Sequence, residues 1–394
     1  MNEETAGAQS ERSRSEESVL LCNAGSSSLK LAQVVAGDGR CVWQAGFEGD
    51  VDTLCESLRG ALDNFALDDL ALDNLALDNW PRPQAVLHRI VHAGLVTENP
   101  GLLDAALLER IAHWAPLAPL HNHLALQLIY IIAARWPQVP QYAIFDSGLY
   151  ADLPDVASQY ALPANLSPQW PLRRYGFHGL AHRSQWRSVQ RLSLEAGRMA
   201  PKRLITLQLG SGCSLTTWRD DQAIDTTMGF TPLEGLVMSS RCGSIDPGIV
   251  LHLLRQEKLS VDELDSVLSR QSGLAALGAG NGDMRVVLAL EPARADAALA
   301  HYAMQIRKSV GAAIAVLGGV DAISIGGGVG EHQPAVRQAV FAGLDELGIV
   351  LDAERNQCAD NHAALHANKS AVALWLCPVD EMDEMWRQYQ ILCR

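Results

Sequence analysis

Two stretches about 185 residues apart obey one pattern and constrain the fold more than anything else in the chain. Val19-Leu-Leu-Cys-Asn-Ala-Gly-Ser-Ser-Ser-Leu-Lys-Leu and Leu204-Ile-Thr-Leu-Gln-Leu-Gly-Ser-Gly-Cys-Ser-Leu-Thr each run from an apolar strand through a Gly/Ser turn into a second alternating strand. Each reads as a β-hairpin with a small-residue tip. Glycine lets backbone N–H groups approach an anion closely and serine adds hydroxyl donors, so such tips can cradle phosphate. Two copies predict a duplicated domain with a cleft between the halves. A third glycine site, Gly326-Gly-Gly-Val-Gly-Glu331, follows the apolar Ala322-Ile-Ser-Ile, and the spacing of Pro334, Val336, Val340, Leu344 and Leu347 predicts a helix that stops at Gly348. Strand, glycines and helix N-terminus form an anion-binding arrangement, although a tight packing turn explains the glycines equally well. Neither GxxxxGK[ST] nor a well-placed GxGxxG occurs, so P-loop and Rossmann readings lose their main support.

A chain of 394 residues, 48% apolar and 19% charged, has room for two or three globular domains. Its net charge of −14, from 31 basic against 45 acidic residues, speaks against nucleic acid as a partner, so any bound phosphate must be met by local positive groups. The longest apolar run, Leu124 to Ala134, contains Gln127 and is too short to span a bilayer. The eight cysteines never come closer than fourteen residues, which removes CxxC metal and redox pairs and reads as reduced, cytoplasmic thiols. Met1 to Ser18 is acidic and polar, with no apolar stretch for a signal peptide, and is expected to be a disordered tail. Ala61 to Trp80 is four tandem copies of a five-residue unit, ALDNF-ALDDL-ALDNL-ALDNW. Five residues advance a helix by about 140°, so no apolar stripe forms, and an acidic surface segment ending at Pro81 and Pro83 is expected.

Between the glycine sites lie polar clusters in a distinctive order. Asn23-Ala-Gly-Ser-Ser-Ser-Leu-Lys30, His88-Arg-Ile-Val-His92, Leu117-Ala-Pro-Leu-His-Asn122, Arg173-Arg-Tyr-Gly-Phe-His-Gly179 with His182, and Asp225-Thr-Thr-Met-Gly-Phe-Thr-Pro-Leu-Glu-Gly235 with Arg241 resemble the acetate kinase family. Asp283-Met-Arg285, Gly327-Gly-Val-Gly-Glu331 and Glu381 extend the likeness, which covers essentially everything from Val19 onward. The resemblance implies an α/β fold of two duplicated domains of the sugar kinase, actin and heat-shock ATPase type, each a mixed sheet flanked by helices, with an interdomain cleft. The expected division is a tail at 1–17, an N-terminal domain of 18–149 plus 380–394, and a C-terminal nucleotide-binding domain of 150–379. It further implies a cytoplasmic homodimer, Mg2+ (or Mn2+), ATP or ADP, and acetate or acetyl phosphate.

Acetate is already ionised at neutral pH, since carboxylic acids titrate near pH 4 to 5, so no general base is required. The obstacle is that an anion must attack an anionic γ-phosphate, and positioning with charge neutralisation is what phosphoryl transfer needs. A guanidinium grips carboxylate or phosphoryl oxygens as a planar fork. By the match, Arg89 and Arg241 are those arginines, His178 donates to the phosphoryl group in flight, and Asp146 orients an arginine or a Mg-bound water. His178 and His182 are four apart, but HGLAH lacks the Glu of a zinc HExxH, and His182 is read as a supporting hydrogen bonder. His121 is expected on a loop lining the cleft. Asn23 and Glu381 match magnesium positions, where hard oxygen donors are apt. Val91, Leu120, Phe177 and Pro232 match the pocket for the acetate methyl group. Lys30, Gln208, Leu209, Gly210, Ser211, Gly212, Asp283, Met284, Arg285, Gly328, Val329, Gly330, Glu331 and His332 match nucleotide contacts.

Several positions depart from the family pattern. Gln208 and Ser211 replace the His and Asn of an HLGNG turn, Gly326 a Thr, His332 an Asn and Tyr150 a His, and His92-Ala-Gly-Leu95 replaces HGGE. Amide and hydroxyl can still hydrogen-bond phosphate. A propionate or butyrate kinase, and a non-catalytic nucleotide-binding sensor, are the alternatives; retention of Arg89, Asp146, His178, Arg241 and Glu381 speaks for an enzyme.

Overall fold

The computed structural model describes residues 17–25, 28–48, 53–54, 82–95, 100–163 and 165–393. The tail before Glu17 and the repeat of 61–80 lie outside the described residues, as do the side chains of Pro119, Leu120 and Ala279. The chain forms two compact units, one of Met1–Ile90, Asn99–Ile144 and Met385–Arg394, the other of Val91–Glu98 and Phe145–Glu384.

The first unit holds a six-stranded sheet of β1 (Ser18–Ala24), β2 (Ser28–Val35), β3 (Cys41–Glu48), β4 (Ala85–Ile90), β5 (Gly101–Leu102) and β6 (Gln141–Phe145), ordered β3-β2-β1-β4-β6-β5. Its helices are α1 (Ala105–Trp114), capped by Asp104 accepting from Leu107 N at 2.8 Å, and α2 (Pro119–Arg135), with proline in the first turn where no N–H is missed. Contrary to expectation, His121 lies on α2 and not on a loop.

The second unit holds β7 (Arg203–Leu209), β8 (Cys213–Arg219), β9 (Gln222–Thr226), β10 (Ala322–Gly326), β11 (Ala363–Ala364) and β12 (Ala373–Leu376), ordered β11-β12-β10-β7-β8-β9. Taken from its other edge, this is the order of the first sheet. In both, a hairpin feeds a third antiparallel strand and a parallel partner lies on its far side: β1 pairs antiparallel with β2 and parallel with β4, β7 antiparallel with β8 and parallel with β10. The register slips once in each meander, at Gln33/Val34 and at Thr217/Trp218. The duplication expected from the two hairpins is thus a duplication of whole sheets. Leu204, Ile205, Leu207 and Leu209 of β7 and Ile323 and Ile325 of β10 are all fully buried, as central parallel strands covered on both faces must be.

The helices of this unit include α3 (Gly179–Glu195), α4 (Pro292–Leu317), α5 (Gly327–His332) and α6 (Pro334–Phe341); α7 (Glu381–Leu392) has Glu381–Glu384 in this unit and its remaining residues in the first. Buried polar side chains of α3 find partners: Gln185 donates to Leu207 O at 3.1 Å and accepts from Ser324 Oγ at 2.7 Å, and Ser184 Oγ accepts from Asp380 N at 3.1 Å. The helix expected to reach Gly348 instead ends at Phe341. Gly343 takes φ +75°, the chain makes a separate turn at Asp345–Leu347, and Leu347 is left 53% exposed.

Candidate active site

The site grows from the ends of β7 and β10. These parallel strands pair up to Gln208 opposite Gly326, so both end at one edge of the sheet and release their glycine turns side by side. Gly210 N donates to Gly212 O at 3.0 Å, closing the first tip, and a Cβ on Gly327 would sit 2.6 Å from Leu209 O, so only glycine, here at φ +78°, permits the second turn to pass so near. Beyond it α5 begins. Glu331 turns back to accept from Gly327 N at 2.8 Å and Val379 N at 3.1 Å, serving the turn's backbone. Gly328 and His332 are exposed, Val329 half-buried and Gly330 buried.

Two charged or polar side chains meet the first tip. A Cβ added to Gly212 would lie 2.9 Å from Cε1 and 3.0 Å from Nε2 of His178, and 3.8 Å from Nη1 of Arg241. Ser239 N donates to Ser211 O at 3.1 Å, docking the Arg241 segment onto the tip. Arg241 donates from Nη1 to Pro232 O at 3.1 Å, and among the described residues no carboxylate pairs with it. Burial lowers its pKa from the ordinary guanidinium value. A partly desolvated cation without a counter-charge is a place for an anion.

His178 caps α3 from the left-handed region, φ 59°, a conformation its fixed surroundings impose. Gly179 can follow only as glycine, since a Cβ would be 2.1 Å from Asp146 O; Asp146 is fully buried at the end of β6. Tyr150, standing where the family pattern has His, donates its hydroxyl to Phe177 O at 3.0 Å and lies 2.8 Å from Thr216 Oγ1, so the phenol pins the loop that carries His178. His178 Nδ1 and His182 Nε2 both face Ser214 Oγ, at 2.8 and 2.7 Å, which joins the rings through a hydroxyl.

Phe177 and Val91 are buried, and His92 binds their segments together: its Nε2 donates to Phe230 O at 3.3 Å and its ring lies 5.2 Å from that of Phe177. Pro232 is half-buried, and Leu120 opens α2 with its side chain outside the described residues. Met284 is buried while Asp283 and Arg285 pair with each other at 2.6 Å on the surface, the guanidinium holding the carboxyl below its ordinary range. Gly282, at φ +74°, packs its backbone on Ser239 O, which brings this loop to the Arg241 segment.

In the first unit, Arg89 of β4 donates from Nη1 to Asn23 Oδ1 of β1 at 3.0 Å, both buried. Lys30 sits opposite Asn23 on β2, exposed. Glu381 is half-buried in the first turn of α7. Two groups escaped the sequence reading. Ser214, in a strand where every second residue turns the same way, bridges the histidines, and fully buried Arg337 holds the Gly330 and Glu331 carbonyls at 2.9 and 2.8 Å and Asn356 Oδ1 at 2.7 Å, fixing the end of α5. Only alternation marks Ser214, and nothing local marks Arg337.

A family model described as the acetokinase family matches residues 56–385. The chain belongs to the acetokinase family. An acetate kinase from Sulfurovum sp. is 39% identical over 313 residues, 78% of each chain. The crystal structure of Porphyromonas gingivalis acetate kinase superposes with a TM-score of 0.81 at 28% identity, covering 95% of this chain and 99% of that one. A propionate kinase from Francisella tularensis superposes with a TM-score of 0.80 at 27% identity, covering 94% and 98%. The two six-stranded sheets with flanking helices are the acetokinase family's duplicated α/β fold. No helix among the described residues is long and apolar enough to cross a membrane.

Proposed function

We propose that this chain is an acetate kinase, transferring the γ-phosphoryl group of ATP to acetate, reversibly, to give acetyl phosphate and ADP. The observation that carries the reading is the meeting at Gly212 of a glycine hairpin tip, the imidazole of His178 and a guanidinium that has no carboxylate partner among the described residues. The ionised acetate oxygen attacks γ-phosphorus in line, a new P–O bond forms, the bond to the β,γ-bridging oxygen breaks, and ADP departs with the electron pair. Arg241 neutralises charge on the phosphoryl oxygens, and His178 donates to them from its ring. Arg89, steadied by Asn23, takes the acetate carboxylate, and Asp146 orients the cationic groups. The methyl group is received by Val91, Phe177, Pro232 and Leu120. The Gln208–Gly212 tip and Gly328–His332 take the phosphates, and Asp283, Met284 and Arg285 with Lys30 take the rest of the nucleotide.

By the family match Asn23 and Glu381 would each lend a hard oxygen donor to Mg2+, an ion that keeps most of its shell as water and phosphate oxygens. When bound, the ion supplies neutralisation of the β- and γ-phosphate charge. The family resemblance supports a cytoplasmic homodimer.

The likeness to a propionate kinase makes acyl choice the decisive measurement. With Mg-ATP and acetate, propionate or butyrate, acyl phosphate trapped as the hydroxamate should form with the highest kcat/KM for acetate. Absence of product with all three acids would leave a nucleotide-binding protein without this activity, and preference for propionate would move the substrate up one carbon.

A further inference from the structure

A line of buried side chains reaches His178 from behind. Trp218 Nε1 donates to Thr206 Oγ1 at 2.9 Å; Thr206 Oγ1 is 2.7 Å from His182 Nδ1; His182 Nε2 is 2.7 Å from Ser214 Oγ; Ser214 Oγ is 2.8 Å from His178 Nδ1. Trp218, Thr206, His182 and Ser214 are all 0% exposed, so water does not compete for these bonds.

Counting protons fixes the direction of the line. An indole only donates, a hydroxyl has one proton, and a neutral imidazole has one donor and one acceptor nitrogen. Thr206 Oγ1 has two hydrogen-bond partners among the described residues, and one of them is the indole N–H. The threonine proton therefore goes to His182 Nδ1. His182, kept neutral by burial, then carries its own proton on Nε2 and gives it to Ser214 Oγ. The serine proton is left for His178 Nδ1, and the proton of His178 must reside on Nε2, the nitrogen beside Gly212. The reverse polarity strands the threonine proton in a buried site, and it would turn a lone pair of His178 toward incoming phosphoryl oxygens.

We propose that Thr206 is a positioning residue that acts through His182 and Ser214 to hold His178 as the neutral tautomer protonated on Nε2. The inference rests on His178 being the donor to the phosphoryl group, and it explains how a neutral imidazole can be a donor with a single orientation. Charged and titratable groups around the line agree with it. Arg241, at the same glycine, disfavours a second cation; Asp146 packs its backbone on Gly179; Tyr150 spends its proton on Phe177 O; and Arg183 stacks 5.0 Å above the Trp218 ring.

The test is nitrogen NMR of the full-length protein labelled with 15N-histidine, with His178→Gln identifying the signals. At pH 7 His178 should be protonated on Nε2 with Nδ1 as acceptor. Thr206→Val should mix the tautomers and raise the acid limb of the kcat–pH profile by about one pH unit, since reversing the line no longer strands a hydroxyl. KM for acetate and ATP should stay within about twofold, and Thr206→Ser should restore both readouts. A wild-type His178 protonated on Nδ1, or doubly protonated at pH 7, overturns the proposal, as does a Thr206→Val protein that keeps one tautomer and the wild-type limb. Should Thr206→Val fail to fold, the wild-type spectrum decides alone. An Nε2-protonated His178 in a protein without acyl phosphate activity would refute the kinase reading while leaving the hydrogen-bonded line standing.

Discussion

Arg241 shows what a single side chain can reveal before any ligand is present. Its guanidinium is given a carbonyl, Pro232 O, and among the described residues no acid, so its charge is left for an anionic ligand. An interaction strongest in the transition state shows in kcat more than in KM. Arg241→Ala should therefore lower kcat by roughly 10³-fold or more with little change in the KM for ATP, and Arg241→Lys should recover only part, because lysine brings charge without the fork. Steady-state kinetics of the two variants decide it; a raised KM for acetate at unchanged kcat would make Arg241 a substrate clamp. His88 and His92 carry a different message. Burial pushes both down to about 4 from an ordinary 6.5. The unfolded chain thus binds more protons between those values, so the stability is fully present above pH 6.5 and is lost as pH falls toward 4. Each should cost about 2 kcal/mol at pH 5, read as a falling urea midpoint whose fall is about halved in His88→Gln, where His92 still titrates.

At the scale of elements, the hairpins and the strand before the glycines could be read directly, because alternating apolar residues and small-residue tips are local signals. The course of α6 could not. Leu344 and Leu347 continue the helical spacing, yet the chain leaves the helix at Ala342, Gly343 takes φ +75°, and Leu344 only precedes the separate turn that carries Leu347. Helix α3 is faint for another reason: its buried face mixes Leu180, Ala181 and Val189 with His182, Ser184, Gln185 and Ser193, and buried polar groups interrupt the apolar stripe in the sequence. That helix starts where Gly179 meets Asp146. A methyl group there would overlap the Asp146 carbonyl, so Gly179→Ala should destabilise the fold by about 1–3 kcal/mol and lower kcat by shifting His178. Thermal melts and turnover measured together check this; an unchanged Tm would mean that the junction yields.

For the whole molecule, two motifs announced a duplication, and the match of strand orders across two six-stranded sheets shows how far it extends. The roles were legible only through the order of the motifs, since Arg89, His178 and Arg241 are far apart in sequence and no local pattern ties them together. The unit boundaries were less legible because the chain changes unit within continuous segments, after Ile90 and after Ile144, where composition does not change. The 61–80 repeat, outside the described residues, has no apolar stripe to bury. Trimming its four ALDNx copies to two should leave soluble yield and kcat within about twofold; loss of folded protein would assign it a packing role.

The same threading sets an order of events during synthesis. Unit one opens with β1 and β2 yet includes Met385–Arg394, where the Trp386 indole lies against Gly39 and the Tyr389 ring stands 5.3 Å from Tyr142. The turn after β2 and strand β6 therefore leave the ribosome long before the rings that pack on them. In the interval the surfaces at Gly39 and Tyr142 are open to solvent and to other nascent chains. Unit two, whose main segment ends at Glu384, has all its residues before these rings of unit one appear.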